Sequence, residues 1–280
     1  MKLLIHGGFF SESSQSIETK VVKQQAMSQI IRAAYMYLKE HTAKQTVVYA
    51  VKLLEDNPLF NAGIGSQIQR DGIIRMSASL MDGKTKKFSG VINIQQIKNP
   101  IEVVSYLQEV DDRVLGGEGA NTFAQHIGTE SYSTEIPQRR KEYEEKLAAT
   151  GIGTVGCVAI DVHGNLAAAT STGGKGFEIP GRISDSATVA GNYANGECAV
   201  SCTGVGEDIV SGALAAKIVT RVTDGIEIKS AFEKSFLELE EFDGFAGAIG
   251  IDKNGAMYWQ ESHPQIVFAA YDGLELTVFQ

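Results

Sequence analysis

The sequence predicts an α+β fold in which antiparallel sheets pack on each other with helices outside. Strand-like stretches gather at the start, middle and end of the chain, turn dipeptides join them in pairs, and helical patterns come in blocks between these groups. With 280 residues, 43% of them hydrophobic and 21% charged, and no linker composition anywhere, the chain can bury a full core as a single domain over 1–280.

Residues 2–6 read as the first strand. Ile17, Val21, Ile30, Ala33, Ala34 and Tyr37 recur at helical spacing, which predicts a long helix with that apolar face ending near Lys39, and a second helix follows over 45–54. Residues 73–81 and 88–94 are β-rich and pair across Asp82-Gly83, while the charged stretch 138–145 reads as a solvated loop or helix. Residues 155–161 and 166–171 form a hairpin around His163-Gly164-Asn165. Helices over 207–222 and 228–240 precede strands at 246–251, 256–261, 266–270 and 274–279, with Asn254-Gly255 and Asp272-Gly273 as turns.

Charge and composition narrow the function classes. The net charge is -9 and no Lys/Arg cluster tracks a phosphate backbone, so nucleic acid is not an expected partner. The opening MKLLIHGGFF has too short an apolar segment for a signal peptide, and no run approaches the roughly 20 apolar residues of a membrane helix, which predicts a cytoplasmic protein without a membrane partner. Cys157, Cys198 and Cys202 are odd in number and lack C-x-x-C spacing, so they read as buried thiols of a reducing compartment. His6, His41, His126, His163 and His263 have no zinc spacing and read as satisfied or surface histidines. Gly204-Val205-Gly206 lacks the third glycine of a dinucleotide loop and Gly174-Lys175-Gly176 lacks the Ser/Thr of a P-loop, so nucleotide binding is not expected.

Gly153-Thr154-Val155-Gly156 carries the chemistry. Breaking the bond before Thr154 would place a free α-amino group beside the Thr154 hydroxyl. Such amines titrate at about 7.7–8.0, so the amine can take the hydroxyl proton without a histidine triad. Gly153, with no Cβ, can adopt the strained geometry that lets Oγ approach its carbonyl. The same four residues also describe an ordinary turn entering a strand.

The run GTVGCVAIDVHGNLAAATSTGGKG from Gly153, GRISDS from Gly181, SCTGVGED from Ser201, IHGGFF from Ile5 and LEDNPLFNAGIGS from Leu54 together resemble the plant-type asparaginase and isoaspartyl peptidase family of threonine N-terminal nucleophile (Ntn) hydrolases. The resemblance spans nearly the whole chain and is weakest over 109–151. It implies an αββα four-layer sandwich, autocleavage between Gly153 and Thr154 into pieces 1–153 and 154–280, and a dimer of cleaved protomers.

It also implies residue roles. Thr154 is the nucleophile, and Thr172, at the far end of the neighbouring strand, orients and polarises it. Thr203 and Gly204 resemble the oxyanion hole. Arg182 matches the clamp for a substrate α-carboxylate, and Asp185, helped by the Gly206 carbonyl, the acceptor of its α-ammonium. Asn61 matches a position that contacts the nucleophile region. The backbone of Leu54, Glu55, Asn57, Phe60, Ala62 and Ile64 matches a loop that wraps a structural sodium ion through carbonyls, and no organic cofactor is implied. Without the resemblance, Thr172 reads as a strand-end hydroxyl and Arg182 with Asp185 as a surface ion pair.

Some positions depart from the family pattern. Phe9-Phe10 follows His6-Gly7-Gly8 where small residues are usual, which predicts a narrowed pocket; Ser77 replaces an aspartate, and Ser184 stands where glycine is common. The expected activity is hydrolysis of L-asparagine and of β-aspartyl dipeptides through the one nucleophile. A glycosylasparaginase-like amidase and an uncut binding protein for aspartyl or asparagine ligands remain alternatives.

Overall fold

The computed structural model describes residues 1–10, 16–145, 153–263 and 265–280. In chain order its elements are β1 (Lys2–Phe9), α1 (Ile17–Leu38), α2 (Ala43–Glu55), β2 (Met76–Asp82), β3 (Lys87–Ile94), α3 (Pro100–Leu107), β4 (Val114–Gly116), α4 (Gly117–His126), α5 (Pro137–Glu144), β5 (Thr154–Ile160) and β6 (Leu166–Thr172). After a 3-10 turn at Asp185–Ala187 come β7 (Asn192–Ala194), β8 (Cys198–Gly204), α6 (Gly206–Gly212), α7 (Leu214–Thr223), α8 (Ile228–Glu240), β9 (Ala246–Asp252), β10 (Met257–Glu261), β11 (Ile266–Tyr271) and β12 (Leu276–Val278).

Two sheets result. The larger runs β12-β11-β1-β5-β6-β2-β3-β4 and is antiparallel except between β3 and β4; the smaller runs β10-β9-β8-β7 and is antiparallel throughout. They touch through β5, β6 and β1 against β8 and β9, while α1, α2 and α3 pack on the larger sheet and α7 and α8 on the smaller. Every residue of β5 and of β6 is buried. Strands covered on both faces read as continuous runs of small apolar residues rather than as alternation, and Ala167-Ala168-Ala169 of β6 is such a run.

Local chemistry fixes the helix starts. The Ser16 hydroxyl accepts from the Thr19 amide at the head of α1, and Thr42 and Gln45 form a reciprocal capping box at the head of α2. The buried face of α1 is Ala26, Met27, Ile30, Ile31, Ala34 and Leu38. The expected face was placed too far toward the N-terminus: Ile17 is 81% exposed and Val21 is exposed as well, because the helix meets the sheet only from its middle onward. The expected helix over 207–222 is two, α6 and α7, broken at Ala213, whose φ of 48° and ψ of 40° are left-handed. The stretch 138–145 falls on α5, which buries no residue. The anticipated narrowing by Phe9 and Phe10 does not occur at the cavity wall. Both rings are buried, Phe9 lying 4.6 Å from Phe245 across the sheet interface, and neither lines the cavity described below. Among the described residues no helix is long and apolar enough to cross a membrane. Cys157, Cys198 and Cys202 are free and buried, and burial raises each thiol's pKa.

Candidate active site

Thr154 opens β5 and is paired in register with Thr172, the last residue of β6. Thr172 is in turn paired with Ser77 of β2, so three hydroxyl residues stand in a row across adjacent central strands. The Thr154 hydroxyl donates to Thr172 Oγ1 at 3.2 Å, and Thr172 Oγ1 also accepts from the Gly174 amide at 3.2 Å. By accepting from Thr154, Thr172 fixes the direction of that O–H and raises the electron density on Thr154 Oγ, which fits the orienting role expected of Thr172. Ser77 uses its hydroxyl to accept from the Asn93 amide, a structural duty.

Behind Thr154 lies a neutral polar chain. His6 of β1 has Nδ1 3.0 Å from the Thr154 carbonyl and Nε2 2.8 Å from Ser201 Oγ, which is 2.7 Å from Thr170 Oγ1. A carbonyl can only accept, so Nδ1 carries the proton and Nε2 accepts from Ser201. Complete burial holds the ring neutral, with its pKa pushed down to about 3 despite the hydrogen bond to Thr154. Gly156 makes room for this chain: a Cβ there would stand 2.1 Å from Ser201 Oγ and 2.3 Å from His6 Nε2.

The cavity in front of Thr154 has a volume of about 270 Å³ and brings together Gly153, Thr154, Thr172, Arg182, Asp185, Gly204 and Gly206. Asp185 is 2% exposed, its Oδ2 has no hydrogen-bond partner among the described residues, and burial raises its pKa to about 7 against the pull of Arg182. A buried carboxyl oxygen without a partner is a vacancy for a donor. Gly206, which opens α6, is packed so closely that a Cβ would meet Arg182 Nη2 and Asp185 Oδ1 at 2.9 Å each. Thr203 is fully buried, does not line the cavity, and its hydroxyl is also without a partner; Gly204 beside it does line the cavity.

Asn61 also stands behind the wall rather than in it. Its side chain donates to the Gly174 carbonyl and accepts from the Gln67 amide, and its carbonyl accepts from Gly173, which fastens the turn leaving Thr172. The surrounding loop folds back on α2 through Ile64 N to Glu55 O at 2.8 Å, Asn57 N to Leu54 O and Phe60 N to Asn57 O. Among the described residues no N–H donates to the carbonyls of Phe60, Ala62 and Ile64. Carbonyl oxygens are the donors a hard cation prefers, and these three are unengaged among the described residues, whereas the Leu54 carbonyl already accepts from both Asp56 and Asn57.

Two charged residues of the site escaped the sequence reading. Glu207 accepts Arg182 Nε at 2.9 Å and Nη2 at 2.7 Å, a bidentate pair. The Arg182 hydrogen bonds lower its pKa to about 2, while burial works against the Arg182 charge and Glu207 more than offsets it. Lys175 lines the cavity and has Nζ 3.6 Å from Glu207 Oε1. Glu207 directly follows Gly206 in the Ser201 block, and that adjacency was the available signal.

Comparison with known proteins gives the family. A family model described as Asparaginase matches residues 1–150 and 134–278. An isoaspartyl peptidase/L-asparaginase of Nostoc sp. is 44% identical, over 97% of this chain and 92% of that protein. An isoaspartyl peptidase of Escherichia coli is 38% identical, over 90% of this chain and 87% of that protein, and a plant-type L-asparaginase of Pyrococcus furiosus is 33% identical, over 95% of each.

Proposed function

The chain belongs to the asparaginase family, and on that premise we propose that it hydrolyses L-asparagine to aspartate and ammonia and cleaves β-aspartyl dipeptides, with Thr154 as an N-terminal nucleophile. The observation that carries the reading is the pairing of the Thr154 and Thr172 hydroxyls at 3.2 Å at the wall of a cavity that also holds Arg182 and Asp185.

Maturation comes first. Thr154 Oγ attacks the Gly153 carbonyl, and the Thr154 nitrogen leaves as an amine carrying the hydroxyl proton, so an ester joins Gly153 to Thr154 Oγ. Water hydrolyses that ester, leaving a Gly153 carboxylate and a free Thr154 α-amine. His6 holds the Thr154 carbonyl during this step, and the Thr172 hydroxyl accepts from the attacking group.

Turnover uses the new amine. It takes the Oγ proton as Oγ attacks the substrate β-carbonyl, and the Gly204 N–H at the cavity wall stabilises the oxyanion, with the Thr203 hydroxyl, unpartnered among the described residues, behind that wall. Arg182 binds the substrate α-carboxylate, and Asp185 with the Gly206 carbonyl accepts from its α-ammonium. Collapse expels ammonia or an amino acid, which receives the proton from the Thr154 ammonium. Water, deprotonated by the same amine, then releases aspartate and restores the hydroxyl.

The same reading includes the finer architecture. The packing of helices on both sheets supports the αββα sandwich, and the three unpaired thiols suit a reducing, cytoplasmic setting. The carbonyl set from Leu54 to Ile64 holds a sodium ion that keeps the loop carrying Asn61 in place. Two cut protomers associate as a dimer, and no organic cofactor takes part.

Intact mass spectrometry of incubated protein, with Thr154→Ala as control, tests the nucleophile. Fragments meeting between Gly153 and Thr154 in the wild type alone, followed by release of aspartate from asparagine and from a β-aspartyl dipeptide, are expected. A chain that stays full length and binds aspartate without turnover would replace the enzyme by a binding protein of the same fold.

A further inference from the structure

Glu207 has two cations around it. Arg182 occupies both of its oxygens in a bidentate pair, and Lys175 Nζ stands 3.6 Å from Oε1, beyond hydrogen-bond reach. The buried Glu178 carboxylate also acts on Arg182, so Glu207 and Glu178 match the two cations in number, and what sets Lys175 apart is its position rather than an excess of charge. Arg182 is 14% exposed and packed beside Asp185, which places it at the buried end; Lys175 is 54% exposed, which places it at the rim.

The backbone of Lys175 is tied down while its side chain is exposed. Its amide donates to Glu178 Oε1 at 3.3 Å, and the preceding Gly174 is tied to Thr172 through its amide and to Asn61 through its carbonyl. A long ammonium side chain thus hangs from a rigid turn that begins at the nucleophile's partner. Its ammonium has three donors, of which the approach to Glu207 uses at most one.

Asparagine presents a single carboxylate, which Arg182 satisfies, and its leaving group is uncharged ammonia. A β-aspartyl dipeptide carries a second carboxylate, on the amino acid that leaves. With the α-groups held at Arg182 and Asp185 and the β-carbonyl at Thr154, the leaving residue extends toward the rim. On the reading given above, we propose that Lys175 is a specificity-determining residue that binds the free carboxylate of the leaving amino acid and directs the site toward β-aspartyl dipeptides.

The test compares one β-aspartyl dipeptide with its C-terminal amide, which is identical except for the negative charge. For the matured wild type the free acid is expected to have the lower KM. Lys175→Gln is expected to raise the KM of the acid about three- to tenfold relative to that of the amide, the scale of a partly exposed charge-assisted contact, and Lys175→Glu to make the amide the better substrate. Equal changes for acid and amide, or none, would overturn the proposal while wild-type turnover left the enzymatic reading standing. Absence of wild-type turnover of asparagine and of both dipeptides would overturn the reading and this inference with it.

Discussion

His6 Nδ1 holds the backbone carbonyl of Thr154 at 3.0 Å, so the residue that would become the new N-terminus is anchored through β1 rather than through its own strand alone. The other ring nitrogen reaches Ser201 of the opposite sheet, and the imidazole spans the sheet interface in one fixed tautomer. Removing it as His6→Ala would leave the Thr154 carbonyl without its imidazole donor and the Ser201 hydroxyl with Thr170 as its one remaining partner among the described residues, in a buried site. The expected cost is about 2–4 kcal/mol, read from urea denaturation of the uncut Thr154→Ala background. A variant as stable as its parent would show that water replaces the ring.

Gly156→Ala should be worse than its size suggests. The added methyl would stand within 2.3 Å of both Ser201 Oγ and His6 Nε2, and neither can retreat without breaking the chain of hydrogen bonds. Poor yield of folded protein is expected, and normal expression with an unchanged melting temperature would show that the sheets can part.

Thr172→Val keeps the shape of the side chain and removes the acceptor facing Thr154. Both the rate of self-cleavage and kcat are expected to fall about 100-fold, while Thr172→Ser retains most of each. Time courses of fragment appearance by mass spectrometry give the first quantity. If valine processes as fast as threonine, the 3.2 Å contact is only packing.

Burial lifts the Asp185 carboxyl to about 7 in the free protein. Below that pH the group is protonated and cannot meet an α-ammonium as a charge, which takes one decade per unit from kcat/KM as pH drops, on top of the limb set by the Thr154 amine. A bound ammonium favours the carboxylate, so this limb should be absent from kcat, which reports the complex. The Thr154 amine must be neutral to act and should leave an acid limb in both profiles. Identical profiles for kcat and kcat/KM would remove Asp185 from substrate binding.

Glu207→Gln keeps the size of the side chain and discharges the partner of Arg182. The pair is half exposed on the Glu207 side, so the loss of orientation should raise KM for asparagine about two- to fivefold with kcat within twofold. A lower KM would mean that Glu207 competes with substrate for the guanidinium. Since the pKa of Glu207 is depressed to about 2, it contributes no limb to the profiles above pH 4.

Local patterns made part of this molecule readable. The hairpin of β5 and β6 followed from the turn at His163-Gly164-Asn165, and α8 lies on the predicted 228–240, because short-range periodicity decides both. On α1 the expected Ile30 and Ala34 do pack, but Ile17 and Val21 satisfy helical spacing yet project beyond the sheet, while Ala26, Met27, Ile31 and Leu38 complete the buried face. The helices α3 and α4 and the three-residue strands β4 and β7 are too short or too weakly patterned to declare themselves. Ala213 breaks α6 from α7 in a left-handed conformation that glycine would have signalled and alanine hides. At the cavity, Thr154, Thr172, Arg182 and Asp185 were legible from blocks of sequence. The hold of Glu207 on Arg182, across 25 positions, and the approach of Lys175 to it are products of chain folding that no spacing displays.

The strand order of the larger sheet gives a cut after Gly153 a lasting effect. Strands β1 to β4 lie before the cut and β5, β6, β11 and β12 after it, yet β1 sits between β11 and β5, and β6 lies against β2. The two pieces are therefore woven together along three ladders, with β1 threaded through the strands of the other piece. They can come apart only by dismantling the central sheet, and neither can rebuild it by itself. On the proposed maturation, folding would have to finish before the bond is broken, and the cut molecule would lack the covalent thread that guided its assembly. A heated and cooled sample of uncut protein should recover its fold, whereas the cut form should recover less as it is diluted, since reunion has become a meeting of two molecules.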